Sequence, residues 1–270
     1  MSRITETFER TRREGRIALM PYLVVGYPTI DSSLGLASAL ADAGADIFEL
    51  GVPYSDPLAD GATIQRATQV ALTNGVTPAL CLEVASRIRQ ATAVPIAMMS
   101  YYNPIARYGD ERFIKDAARA GVDGLLVPDL PPDESEDFRD CARRNGLDLS
   151  YFVAPTSTDE RLRLVGQVTT GFVYCVSLAG VTGARTTLSE GLPTYLDRVR
   201  RFVEVPLAVG FGISRPEHVR LVAEHADGAI VASALIDRLD GLPPNQKING
   251  LSAYVRELSR ATARTVANSP

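Results

Sequence analysis

Eight short apolar runs punctuate the chain: "MPYLVV", "DIFELG", "PIAMMS", "GLLVPD", "LSYFVA", "FVYCVS", "PLAVGF" and "GAIVAS". Most are continuously hydrophobic rather than alternating, the pattern of strands covered on both faces. Between them lie amphipathic stretches with helical spacing, among them "SSLGLASALADAG", "PALCLEVASRIRQAT", "DERFIKDAARAG" and "RPEHVRLVAEHA". Regular alternation of the two predicts parallel strands joined by helical crossovers. "DAGAD" and "RAGVDG" each end a helix on glycine and set an aspartate just before the next strand. About eight such units in this length close most naturally into a TIM (β/α)8 barrel. No GxGxxG follows the first strand to favour an open, doubly wound sheet. Residues 1–270 are expected to form one barrel domain, preceded by an extra helix in which Ile4 and Phe8 share a face and the Arg and Glu side chains point outward.

Composition narrows the function. With 270 residues, 46% of them hydrophobic, the chain can bury one large core. A net charge of -4 offers no electrostatic case for nucleic acid or an anionic membrane. No run approaches the ~20 apolar residues of a membrane span, and the charged N-terminus lacks the core of a secretion signal. Cys81, Cys141 and Cys175 are scattered, which fits a reducing, cytoplasmic setting.

In a TIM barrel chemistry sits at the C-terminal strand ends. Both lysines, Lys115 and Lys247, fall away from strand ends, so a Schiff-base mechanism has no amine. Both histidines, His218 and His225, fall in one outer helix and are expected on the surface; no metal site is expected. That leaves carboxylates. In "IFEL", Ile47 and Glu49 share one face; if it lines the barrel, Glu49 enters a partly apolar mouth and its pKa rises toward acid–base use. A glutamate bonded at the rim for structural reasons is the alternative. Asp60 serves equally as a cap for a helix starting near Ala62, and Asp56 and Asp129 equally as turn residues.

After the seventh strand comes "VGFGIS" and after the eighth "IVASALI". Gly210 and Gly212 would allow close backbone approach to a ligand, and Ser233 would open a short helix toward a phosphate; plain tight turns are the alternative. The long "SLAGVTGARTTLSEG", Ser177 to Gly191, has the make-up of a closing lid.

"FELGVPYSDPLADGATIQRA", "PYLVVGYP", "SYYNPI", "VPDLPPDES", "YCVSLAGVTGAR" and "VGFGIS" together resemble the tryptophan synthase alpha chain family. The resemblance implies a TIM barrel that cleaves indole-3-glycerol phosphate into indole and glyceraldehyde 3-phosphate. It implies Glu49 as general acid–base and Asp60 as the carboxylate at the indole N–H. Tyr22, Met99, Leu126, Phe152 and Tyr174 would line the indole pocket. Gly183, Phe211, Gly212 and Ser233 would bind phosphate, and Thr182 and Arg185 would belong to the lid. It also implies no cofactor in this chain, and an α2β2 complex with a beta chain that carries pyridoxal phosphate. Pro53, Asp56, Asn103 and Pro131 would lie at that contact. A stand-alone indole-3-glycerol phosphate lyase, a phosphosugar isomerase or epimerase, and an inactive regulatory subunit are the competing functions. Two departures from the family stand out: Ala232 where glycine is common, and Tyr22 and Tyr54 where phenylalanine is common.

Overall fold

The computed structural model describes residues 1–177, 191–210 and 212–264. Thr182, Gly183, Arg185 and Phe211, with all of the proposed lid between Ser177 and Gly191, lie outside the described residues.

The described strands are β1 (Ala18–Val24), β2 (Phe48–Gly51), β3 (Ile96–Met99), β4 (Gly124–Leu126), β5 (Asp148–Ser150), β6 (Phe152–Val153), β7 (Val173–Val176), β8 (Leu207–Gly210) and β9 (Gly228–Val231). All pair in parallel, in the order β5-β4-β3-β2-β1-β9-β8-β7-β6. β5 and β6 are two halves of one stave broken at Tyr151, whose carbonyl accepts the Tyr174 N–H at 2.9 Å. Joining them closes the sheet into an eight-staved TIM barrel. Each apolar run of the sequence supplies one stave, and helices cover the outside.

Strand alternation sorts the core into two parts. Phe48, Leu50, Leu125 and Val209 pack outward against the helices. Ala18, Met20, Ile47, Ala97, Leu126, Phe172, Tyr174, Ala208 and Ile230 fill the barrel. Ile47 and Glu49 therefore do share the inner face.

The helix Arg3–Arg13 is more than a surface helix. Ile4 and Phe8 enter the inner cluster, and the Phe8 ring meets Phe172 at 5.8 Å. Burial of two such side chains contributes about 1.5–3 kcal/mol each. Its arginines were expected to point into solvent, but three of them turn to the aspartates that precede strands. Arg10 and Arg16 bind Asp46, which also takes the Leu19 N–H at 3.0 Å. Arg3 and Arg89 bind Asp123, which takes the Ile96 N–H at 2.8 Å. Arg12, Arg200 and Arg264 face Asp227, which takes the Leu207 N–H at 2.9 Å. The aspartate before a strand thus bonds an amide at the start of the neighbouring strand, while arginines balance its charge at the closed end of the barrel.

The final described helix spans Lys247–Arg260. Among the described residues no helix is long and apolar enough to cross a membrane.

Candidate active site

At the other end of the barrel, Glu49 is 1% exposed. β2 holds it between Tyr22 of β1 and Ala97 of β3, its partners in register. Its Oε2 has no hydrogen-bond partner among the described residues. Burial, and secondarily the charge of Asp60, push the Glu49 carboxyl up to about 8. A fully buried acid with an unsatisfied oxygen is costly for the fold, which favours the functional account over a bonded rim glutamate.

Asp60 lies at the end of the loop that follows β2. Burial raises it to about 6, opposed by a hydrogen bond with Tyr101. Tyr101 Oη accepts the Ala59 N–H at 2.9 Å, leaving its own proton for the carboxylate. The Tyr101 ring also packs against Tyr54, with centroids 5.5 Å apart. Gln65 Nε2 donates to the Asp60 carbonyl at 2.8 Å. The alternative role as a helix cap fails: the next helix, Ala62–Thr73, has Gly61 at its N-cap and no side-chain cap bond. Tyr101 was missed by sequence reasoning, although it stands just past β3 inside the quoted "SYYNPI".

Two more phenols complete the mouth. Burial raises Tyr22 and Tyr174 well above the usual tyrosine value, and both respond to the charges of Glu49 and Asp60. The four groups therefore share one pocket. Phe152 stacks on Tyr174 with centroids 4.6 Å apart. Met99 and Phe152 border the inner cluster and Leu126 belongs to it. All five residues proposed for an indole pocket thus face the barrel interior or its mouth.

Gly210 takes a different role from the one expected. A Cβ there would lie 2.1 Å from Tyr174 Oη, so its open face is filled by the phenol rather than kept for a ligand. Gly212 has φ +80, a left-handed conformation that suits glycine. Ser233 is the first residue of the helix Ser233–Asp240, and its N-cap Ala232 has φ -118, which alanine tolerates. Ala232 therefore does not occupy the left-handed region that would favour glycine.

His218 corrects the expectation of a surface residue. It is 7% exposed, and its Nδ1 accepts the Ser214 N–H at 3.2 Å, which steadies the turn after β8. Asp129 is structural: its Oδ1 caps the helix Tyr102–Tyr108 through the Tyr102 N–H at 2.8 Å. Asp56 and Asn103 are exposed and Pro131 is half-buried, whereas Pro53 is buried and offers little surface of its own. Leu58, in the same loop as Asp56, is 87% exposed. A cavity of about 400 Å³ bordered by Arg3, Arg89 and Thr92 lies at the opposite end, and both its arginines are engaged with Asp123.

The family model described as tryptophan synthase alpha chain matches residues 8–263. The chain belongs to the tryptophan synthase alpha chain family. It is 55% identical over 259 residues to the tryptophan synthase alpha chain of Roseiflexus castenholzii, covering 96% of this chain and 99% of that one. It is 42% identical over 255 residues to the tryptophan synthase of Saccharomyces cerevisiae, covering 94% of this chain and 36% of that longer protein. Among solved structures, tryptophan synthase of Mycobacterium tuberculosis superposes with a TM-score of 0.90 at 39% identity, covering 98% of this chain and 99% of that chain. The alpha subunit of Legionella pneumophila strain Paris gives a TM-score of 0.89 at 34% identity, covering 97% and 98%. The family's half-reaction cleaves indole-3-glycerol phosphate, and this chain is a lyase of that class in tryptophan biosynthesis.

Proposed function

We propose that Glu49 performs the proton transfers of this cleavage and that Asp60 stabilises the charge they create. The observation that carries the proposal is the buried Glu49 carboxyl, whose Oε2 has no hydrogen-bond partner among the described residues, held protonated near neutrality beside a second carboxylate of lower pKa. Two acids whose environments separate their pKa values are suited to opposite roles.

Glu49 delivers its proton to the indole carbon that bears the glycerol chain. The ring becomes an indolenine with positive charge on its nitrogen, and the Asp60 carboxylate stabilises that charge in a site of low dielectric. Glu49, now ionised, removes the proton of the chain hydroxyl next to the ring. The carbonyl forms, the carbon–carbon bond breaks, and its electron pair returns to the ring. Indole and glyceraldehyde 3-phosphate leave, and Glu49 is protonated again. Every proton is supplied and recovered by side chains of this chain, so no cofactor is needed in it.

Tyr22, Met99, Leu126, Phe152 and Tyr174 would flank the ring, and Ser233 with Gly183, Phe211 and Gly212 would take the phosphate. The N–H groups of a helix start suit that anion. Thr182 and Arg185 would close over the substrate.

The natural setting we propose is an α2β2 complex with a beta chain that carries pyridoxal phosphate. It is supported by the yeast relative, in which the matching segment is a minor part of a longer tryptophan synthase. It is supported too by the loop of Asp56 and Leu58, which offers an exposed apolar side chain beside the site. Aldehyde release from indole-3-glycerol phosphate, measured with and without an added beta chain, tests both parts. Glu49→Gln is expected to bind substrate and release no aldehyde; full turnover by that variant removes Glu49 from the mechanism.

A further inference from the structure

Behind the mouth, one arginine ties the Asp60 segment to the helix that begins at Ser233. Arg66 stands about one turn into the helix Ala62–Thr73, which starts directly behind Asp60. Its guanidinium reaches Asp237 at 3.6 Å and also pairs with Asp240; both acids lie on one face of the helix Ser233–Asp240. Thr63 Oγ1 donates to the same Asp237 at 3.1 Å. Tyr27, buried after β1, donates to Asp240 and accepts from Arg66 at 3.4 Å. Three segments from three strand ends meet in this one polar knot.

Resting on the assignment of Ser233 to the substrate phosphate, we propose that Arg66 is a positioning residue that sets the distance between Asp60 and the phosphate anchor. Indole-3-glycerol phosphate joins a ring and a phosphate by a chain of fixed length. Asp60 lies just before one helix and Ser233 opens the other, and Arg66 is the bridge between those two helices. The ion pairs are half exposed and contribute little to folding. Their effect is on placement: a ligand anchored at both ends binds less well when the spacing of its two anchors changes.

Arg66→Met in the full-length chain is therefore expected to raise KM for indole-3-glycerol phosphate about five- to tenfold, with a smaller loss in kcat and little change in melting temperature. Inhibition by free indole and by glyceraldehyde 3-phosphate, each added alone, should shift less than about twofold, because neither half spans the bridge. Asp240→Asn opens the same knot from the other side and should repeat the pattern. An unchanged KM in both variants overturns the inference. So does weakening of the separate halves by the same factor as the whole, which marks general collapse of the site. Ser233→Glu tests the underlying assignment separately: it should abolish inhibition by glyceraldehyde 3-phosphate, and unchanged inhibition there refutes the phosphate site itself.

Discussion

The Tyr22 hydroxyl occupies the space where a side chain on Gly51 would stand: a Cβ added to Gly51 would lie 2.0 Å from Tyr22 Oη and 2.5 Å from Cζ. The ring is thereby laid along the mouth of β2, next to Glu49, its neighbour in register. Gly51→Ala must push that ring aside, at a cost of ~1–3 kcal/mol by overpacking. Urea unfolding should register the loss and aldehyde release should fall with it. Tyr22→Phe added to Gly51→Ala should not restore stability, since Cζ still clashes, whereas Tyr22→Leu should.

The two carboxyls predict a bell-shaped pH profile. The productive free enzyme has Asp60 ionised and Glu49 protonated, so kcat/KM should rise through about 6 and fall through about 8. A profile flat from pH 5 to 9 would contradict this division of roles.

Glu49 also makes stability depend on pH. Unfolded, it releases its proton near the ordinary value of 4.5; folded, it keeps it to about 8. Between those values the folded chain binds more protons, so this group lowers stability as pH rises, by up to ~1.4 kcal/mol per pH unit. Glu49→Gln removes that dependence. The variant should be more resistant to denaturant than the natural chain at pH 8, with the difference shrinking toward pH 5.

Tyr101→Phe deletes the hydroxyl that accepts the Ala59 N–H and donates to Asp60. A hydrogen bond to a charged group is worth ~1.5–3 kcal/mol, so kcat/KM should fall by about 10- to 100-fold. The bond favours the ionised acid; without it the acidic limb of the profile should move to higher pH. An unmoved limb would show that Tyr101 holds the loop alone.

At the closed end, Asp227→Asn leaves Arg200 and Arg264 without their shared partner and weakens the bond to Leu207 N–H. The expected cost is about 1–3 kcal/mol, mostly from the buried bond to Leu207 N–H because the arginines can turn to solvent, with little effect on KM in the fraction that stays folded. Burial pushes the Asp227 carboxyl up, but the arginines, Arg200 foremost, and the Leu207 N–H together hold it below the usual aspartate value of 3.8. Its contribution is therefore complete above that value and is lost as pH falls below it. Thermal unfolding of both forms across that range checks the sign.

Much of this was legible in the chain because it depends on local geometry. Strand runs and intervening amphipathic stretches follow from side-chain periodicity, and parity alone put Ile47 and Glu49 on one face. Lysines and histidines placed off the strand ends left carboxylates as the candidates. Whether Asp60 capped a helix or faced the pocket was open in sequence, because a loop aspartate satisfies both until neighbouring strands are fixed. The same is true of Asp129, which became a cap only when β4 came beside β3.

The sequence by itself determined the order of the elements, the shared face of Ile47 and Glu49 and the acid at the mouth of β2, since each follows from backbone sterics within a few residues. Closure of the barrel decided the rest. It brought Tyr101 to Asp60, Tyr22 over Gly51 and Tyr174 over Gly210. It buried His218 and turned the first helix's arginines onto aspartates far along the chain. Such contacts join residues tens to hundreds of positions apart, and no local periodicity encodes which of them will meet.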